Sequence, residues 1–175
     1  MIKILIHGIK DGVHEINLNI PVEEVDDMFP EFFGEIAITG KLRKLGNRFS
    51  IIGEAKCQAK LICDLSLKEY NQFIVADITA SFYANDDLFF LKNDDNHPSD
   101  LETIIREDEL YLDLSEEVRE QLAVRLPMRR IAPDMMDVEF NEIYPDYSED
   151  KVKKDIENGI SPDERWAPLK NLKLN

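Results

Sequence analysis

The residues best suited to metal or redox chemistry are two cysteines and three histidines. Cys57 and Cys63 are six positions apart in a segment that alternates like a strand. At about 3.3 Å per residue they stand roughly 20 Å apart. A disulfide needs Cα atoms within about 7 Å, and a zinc site needs ligands that converge on one point. His7, His14 and His97 are scattered along the chain. The pattern therefore implies no metal and no cofactor, and the cysteines read as small buried apolar side chains. Nucleophilic chemistry would require a Ser, Cys or Lys held beside a base. The chain has no glycine-flanked serine and no histidine cluster, and its 7 glycines never form a phosphate-cradling loop ahead of a helix. Carboxylates are abundant, but exposed carboxylates keep ordinary pKa values and read as a solvated face. The sequence carries no readable active site, and the expectation is a binding protein, not an enzyme.

Charge constrains the partner. With 36 acidic against 21 basic residues the net charge is −15, of which −10 falls between Asp86 and Glu120 (13 acids, 3 bases). Such a chain repels a phosphate backbone within a screening length. Its acidic surface suits a basic protein. Two local groups of cations run against the total: Lys41, Arg43, Lys44 and Arg48 around one hairpin, and Arg125, Arg129 and Arg130 after a helix. They are candidate RNA or partner contacts, although neither group has the interleaved aromatics that stack single-stranded bases. No apolar run is long enough to span a bilayer, and the disulfide framework of a secreted small domain is missing. The expected location is the cytoplasm, with no membrane or DNA partner.

These residues must be positioned mainly by strands. Residues 2–7 and 13–20 alternate on either side of Asp11-Gly12, which predicts a hairpin. Residues 22–28 suit one short helical turn. From 35 to 63, two long alternating runs flank Gly46-Asn47, which fits a two-residue type II′ turn. Pairing Leu45 with Arg48 sets Leu42 opposite Ile51, Ile38 opposite Ala55 and Ile36 opposite Cys57. That register gathers Ile36, Ile38, Leu42, Phe49, Ile51, Ala55, Cys57, Ala59, Leu61 and Cys63 on one face. A slip of one residue would turn this apolar set outward. A further strand covers about 70–83, rich in β-branched and aromatic residues. Residues 92–100 read as a polar loop.

In the second half, Asp113 suits a helix N-cap with Glu116 three residues on. Leu114, Val118, Leu122 and Leu126 then recur every fourth residue until Pro127. The expected fold class is α+β: an antiparallel sheet or partly closed barrel of long hairpins, with a few helices in the C-terminal half. The expected organisation is a sheet domain over 1–133, closed by a helix at about 113–126, and an acidic, semi-ordered tail over 134–175 that packs on the domain or extends from it.

Three blocks of the chain resemble the YceD-like family, the large ribosomal RNA subunit accumulation proteins. The family's Cys-x-Arg-Cys-Leu stretch corresponds to Cys63-Asp64-Leu65-Ser66-Leu67, where Cys63 and Leu67 fit but Leu65 and Ser66 replace the Arg and second Cys. The family's acidic helix closing on Leu-Pro corresponds to Asp113 through Leu126-Pro127. Its ending, Asp-Pro-Arg-aromatic with spaced leucines, corresponds to Asp163-Glu164-Arg165-Trp166 with Leu169 and Leu172. The resemblance implies a non-enzymatic cytoplasmic factor that supports accumulation of large-subunit rRNA, with no catalytic residues. The cysteines that suggest metal binding in some members are absent after Leu126-Pro127, so no zinc role carries over.

Two functional expectations follow. In the first, the chain is a ribosome biogenesis factor that binds a basic ribosomal protein or pre-ribosomal particle, or contacts rRNA locally. In the second, it is a general protein-interaction or scaffold module with no ribosomal role, using a sheet edge or the Trp166 segment, where Trp166, Leu169 and Leu172 share helical spacing.

Overall fold

A computed structural model describes residues 1–91, 102–138, 140–145 and 151. The chain divides into two compact units. The first comprises residues 1–61 and 69–129, and the second comprises 62–68 together with the chain from 130 onward.

The first unit is built on a five-stranded sheet, in the order β2-β3-β4-β5-β6. Its long strands are β2 (Gly12–Pro21), β3 (Phe32–Leu45), β4 (Arg48–Ile62) and β5 (Glu69–Ala84), with a short β6 (Thr103–Ile105) at the far edge. The fold is α+β. The sheet is open and does not close into a barrel, so the barrel alternative is not what forms.

The Gly46-Asn47 turn and the alternation of its flanks set the β3–β4 register as the sequence predicts. Leu45 pairs with Arg48, Leu42 with Ile51 and Ile38 with Ala55. Gly46 has φ 58°, the positive value that the first central position of a type II′ turn requires. The expected Ile36–Cys57 pair is absent, because the ladder shifts between Phe33 and Ala37. Gly34, at φ 79°, marks this bulge. Ile36 and Cys57 are both fully buried even so.

Midway along the hairpin, Gly40 lies opposite Gly53. A Cβ on Gly40 would meet the Ile52 carbonyl oxygen at 2.6 Å and the Gly53 Cα at 2.7 Å. The two backbones therefore approach as only paired glycines permit.

The predicted hairpin between residues 2–7 and 13–20 does not form. β1 (Lys3–Leu5) pairs antiparallel with β7 (Tyr111–Asp113), more than a hundred residues away, and β2 pairs with β3 over its whole length. Asp11 does not build a local reversal; its carboxylate accepts the Gly46 N–H at 3.2 Å. Strands of three residues are too short to show a period, so nothing local announces the β1–β7 pair.

The helical turn expected at 22–28 is a 3-10 turn at Val22–Glu24. Helix α1 (Asp86–Leu91) begins the crossover to β6, which runs parallel to β5. Helix α2 (Ser115–Val124) follows β7 directly. The N-cap is Leu114 and not the expected Asp113, which lies one residue earlier, where its carboxylate accepts both the N–H (2.9 Å) and the hydroxyl (2.6 Å) of Ser115. The apolar stripe Leu114, Val118 and Leu122 is fully buried. It joins the core formed by Ile2, Ile4, Leu112 and the inner face of the long strands.

The second unit ties the turn after β4 to the chain beyond residue 129. Asp64 and Arg130 exchange two bonds: Asp64 N–H to the Arg130 carbonyl, and Arg130 N–H to Asp64 Oδ2, each 2.7 Å. The Ala132 N–H reaches Cys63 Sγ at 3.4 Å, and the Tyr144 hydroxyl donates to the Leu65 carbonyl at 2.8 Å. Pro133–Met135 form a 3-10 turn, and α3 spans Phe140–Ile143.

Candidate functional site

The alternation of β3 and β4 places Lys41 and Arg43 on the solvent face of the sheet. Lys41 lies across from Glu15 on β2 and Ile52 on β4, and Arg43 lies across from Val13 and Ser50. Both are exposed and lack a partner among the described residues.

The other cations of this group are already engaged. Lys44 points to the opposite face, where its ammonium donates to the Ile9 carbonyl at 2.8 Å and sits 5.6 Å from the Phe49 ring centroid. Arg48 pairs with Glu102 at 3.2 Å and stacks over Tyr83.

The second group is also largely committed. Arg125 is paired to Asp77 on β5 at 2.7 Å. The hairpin tip meets the far end of the same strand, where the Ala84 N–H donates to the Asn47 carbonyl. Asp77 and Ala84 are seven residues apart, about 23 Å along a strand. Arg125 therefore does not join the hairpin cations in one basic patch. Arg129 is exposed, whereas Arg130 belongs to the second unit, bound through its backbone to Asp64.

Of the motif positions, Cys63 and Leu67 share one turn. The Leu67 N–H donates to the Cys63 carbonyl at 2.8 Å, and the Cys63 N–H to the Lys68 carbonyl at 2.9 Å. Leu67 has φ 57° and is largely exposed. Ser66, standing where the family motif has its second cysteine, reaches the Cys63 sulfur with its hydroxyl. The Ala132 N–H, and after it this hydroxyl, lower the Cys63 pKa to about 7. Leu126 packs partly buried against the core just after α2, and Pro127 follows it. Asp163, Arg165, Trp166 and Leu169 lie outside the described residues.

Among the described residues no three His, Cys, Asp or Glu side chains cluster as metal ligands would. No described helix is long and apolar enough to cross a membrane. Two surface depressions among the described residues are open: one is lined by Asp27, Phe29, Arg119 and Val124, and another, on the sheet's solvent face, by Asn19, Glu35, Lys56 and Phe73. In the second, the Lys56 ammonium lies 4.4 Å from the Phe73 ring centroid. This cation and aromatic pair was not singled out by sequence reading, because its members sit on different strands.

The model of one family, described as large ribosomal RNA subunit accumulation protein YceD, matches residues 51–173. The chain belongs to the YceD family. The matched span takes in β4 from Ile51 onward, β5, the Cys63 turn and α2, and it leaves β1, β2 and β3 outside. No curated protein and no solved structure matches the chain. Membership carries a ribosome-related role at the level of the family.

Proposed function

We propose that the chain supports accumulation of large-subunit rRNA as a non-catalytic cytoplasmic binding factor, and that its direct partner is a basic protein of the large subunit or its precursor particle. The observation that carries this reading is the state of the cations. In a chain of net charge −15, Lys44, Arg48 and Arg125 are held by the protein's own carbonyls and carboxylates. Lys41 and Arg43 alone in the hairpin group stay available to a phosphate. Even with the exposed Arg129 added, three candidate cations supply little of the counterion release that drives RNA binding. The acidic surface as a whole complements Lys- and Arg-rich protein.

The test is depletion of the protein from cells, followed by sedimentation of ribosomal particles and affinity capture at low and high salt. Expected are a deficit of large subunits and of their rRNA, and salt-sensitive recovery of basic large-subunit proteins. Normal particle profiles would remove the ribosomal role. If rRNA is recovered directly and Lys41→Glu with Arg43→Glu abolishes that recovery, the direct partner is RNA.

A further inference from the structure

β2 is a ten-residue strand at the edge of the sheet, paired on one side only among the described residues. The direction of its free backbone groups follows from the hairpin. Leu45 and Arg48 flank a two-residue turn and form a hydrogen-bonded pair, so odd-numbered residues of β3 turn their N–H and C=O toward β4. Even-numbered residues from Ile36 to Leu42 turn theirs toward β2, where they face Ile20, Leu18, Ile16 and His14. Val13, Glu15, Asn17 and Asn19 are left with N–H and C=O directed away from the sheet. None of these groups has a partner among the described residues.

Edges of this length are normally guarded by a bulge, a lysine or a central proline. The β2–β3 register runs without interruption from Gly12 to Pro21, the proline is the final residue, and Glu15 is the only charge in the strand. On the inner face, Leu18 and Ile20 pack against the core but stay only partly buried, a gap that a further strand would cover.

Charge selects the occupant. From Ile16 to Gly40 there are six acids, Glu23, Glu24, Asp26, Asp27, Glu31 and Glu35, and no lysine or arginine. All but Glu31 are exposed, and they follow the strand or flank its Pro21 end, where Glu35 sits opposite Pro21; at the Gly12 end Arg43 and Lys41 lie opposite Val13 and Glu15, so the acids guide the Pro21 half of the edge. A second copy of the chain would bring its own −15 to the edge, and a nucleic acid offers no strand to pair and is repelled by these carboxylates.

We propose that the open edge of β2 accepts an extended, Lys/Arg-rich protein segment as an added strand. Its main chain bonds to Val13, Glu15, Asn17 and Asn19, and its cations meet the acids that follow β2. Strand addition supplies affinity through main-chain bonds, and the charges select the partner. The inference rests on the reading of a basic protein partner given above and names where that partner docks. The edge lies before residue 51, outside the span that matches the family.

The experiment uses the full chain and, as probe, the total protein extracted from purified large ribosomal subunits, with bound proteins identified by mass. Asn17→Pro removes an outward N–H at a position where an edge strand tolerates proline. Glu23→Lys with Asp26→Lys reverses two exposed charges without touching the core. Expected is capture of one or a few basic proteins by the wild type, weakened tenfold or more by either variant. In hydrogen exchange, the captured protein should slow the amides of Val13, Glu15, Asn17 and Asn19. Wild-type capture that both variants retain, with protection elsewhere, overturns the edge as the docking site and leaves the proposed function standing. Failure of the wild type to capture any basic protein overturns both. A doubled mass in solution that Asn17→Pro reduces to a single chain would assign the edge to a second copy. If Asn17→Pro unfolds, the charge variant and the exchange pattern decide.

Discussion

Cys57 and Cys63 are six residues apart, on one face of β4 and at its end, and both are buried, yet their thiols are pushed in opposite directions. Burial raises the Cys57 thiol above its ordinary 9.0, while Cys63 is lowered to about 7 by the Ala132 N–H and the Ser66 hydroxyl. Cys57 lies beside the bulge in the β3–β4 ladder, where burial outweighs the opposing backbone bonds its Sγ makes at Phe33 and Gln58, 3.7 and 3.6 Å away. Cys63 sits where the ladder stops, so a donor from a distant stretch of chain can reach its sulfur. The difference teaches that the hairpin is specified locally, while the turn is specified by what folds back onto it.

The largest effect should come from breaking the local side of that contrast. Gly40→Ala drives a Cβ into the Ile52 carbonyl and Gly53, and neither is a flexible side chain that could move aside. A loss of about 3 kcal/mol, the upper range for overpacking, is expected in urea unfolding. An unchanged midpoint would mean that the two strands can separate there freely. Gly46→Ala should cost about 1–2 kcal/mol, because an L-residue resists φ 58°. Its nearest space is otherwise open, so the cost should be backbone strain alone.

The next effect separates the two cysteines directly. Thiolate absorbance should rise with a midpoint at about 7 in Cys57→Ala, reporting Cys63, and only above 9 in Cys63→Ala, reporting Cys57. Because folding lowers the Cys63 pKa, its stabilising contribution is full above 9.0 and disappears as pH falls through about 7. Wild type should therefore gain stability over Cys63→Ala as pH rises through that window; the opposite slope would refute the assignment. The smallest effect is expected from Ser66→Ala, which removes the lesser donor. The Cys63 midpoint should move upward and stay below that of Cys57.

Much of the sheet was legible, and the reason is local. An alternating pattern on both sides of Gly46-Asn47 admits one register that keeps Leu42, Ile51 and Ala55 inside. The slip at Ile36 was not legible, because Gly34 could equally continue a strand until its φ of 79° is known. The partner of β1 was hidden by the brevity of both strands. Among the candidate contacts, the residue types were readable and their availability was not. Lys41 and Lys44 look alike in sequence, yet alternation and the Ile9 carbonyl leave one free and occupy the other. The edge of β2 was missed because a wrong local hairpin supplied it with a neighbour.

The sequence by itself determined the α+β class, the core face of the long hairpin, the buried stripe of α2 and the net acidity of the chain, since periodicity and charge are sums over neighbouring residues. Only the tertiary structure decided which strand lies beside which, which cations are neutralised and which strand edge stays open. Those outcomes depend on contacts between segments far apart in the chain, and the short strands that make such contacts carry too few residues to announce them.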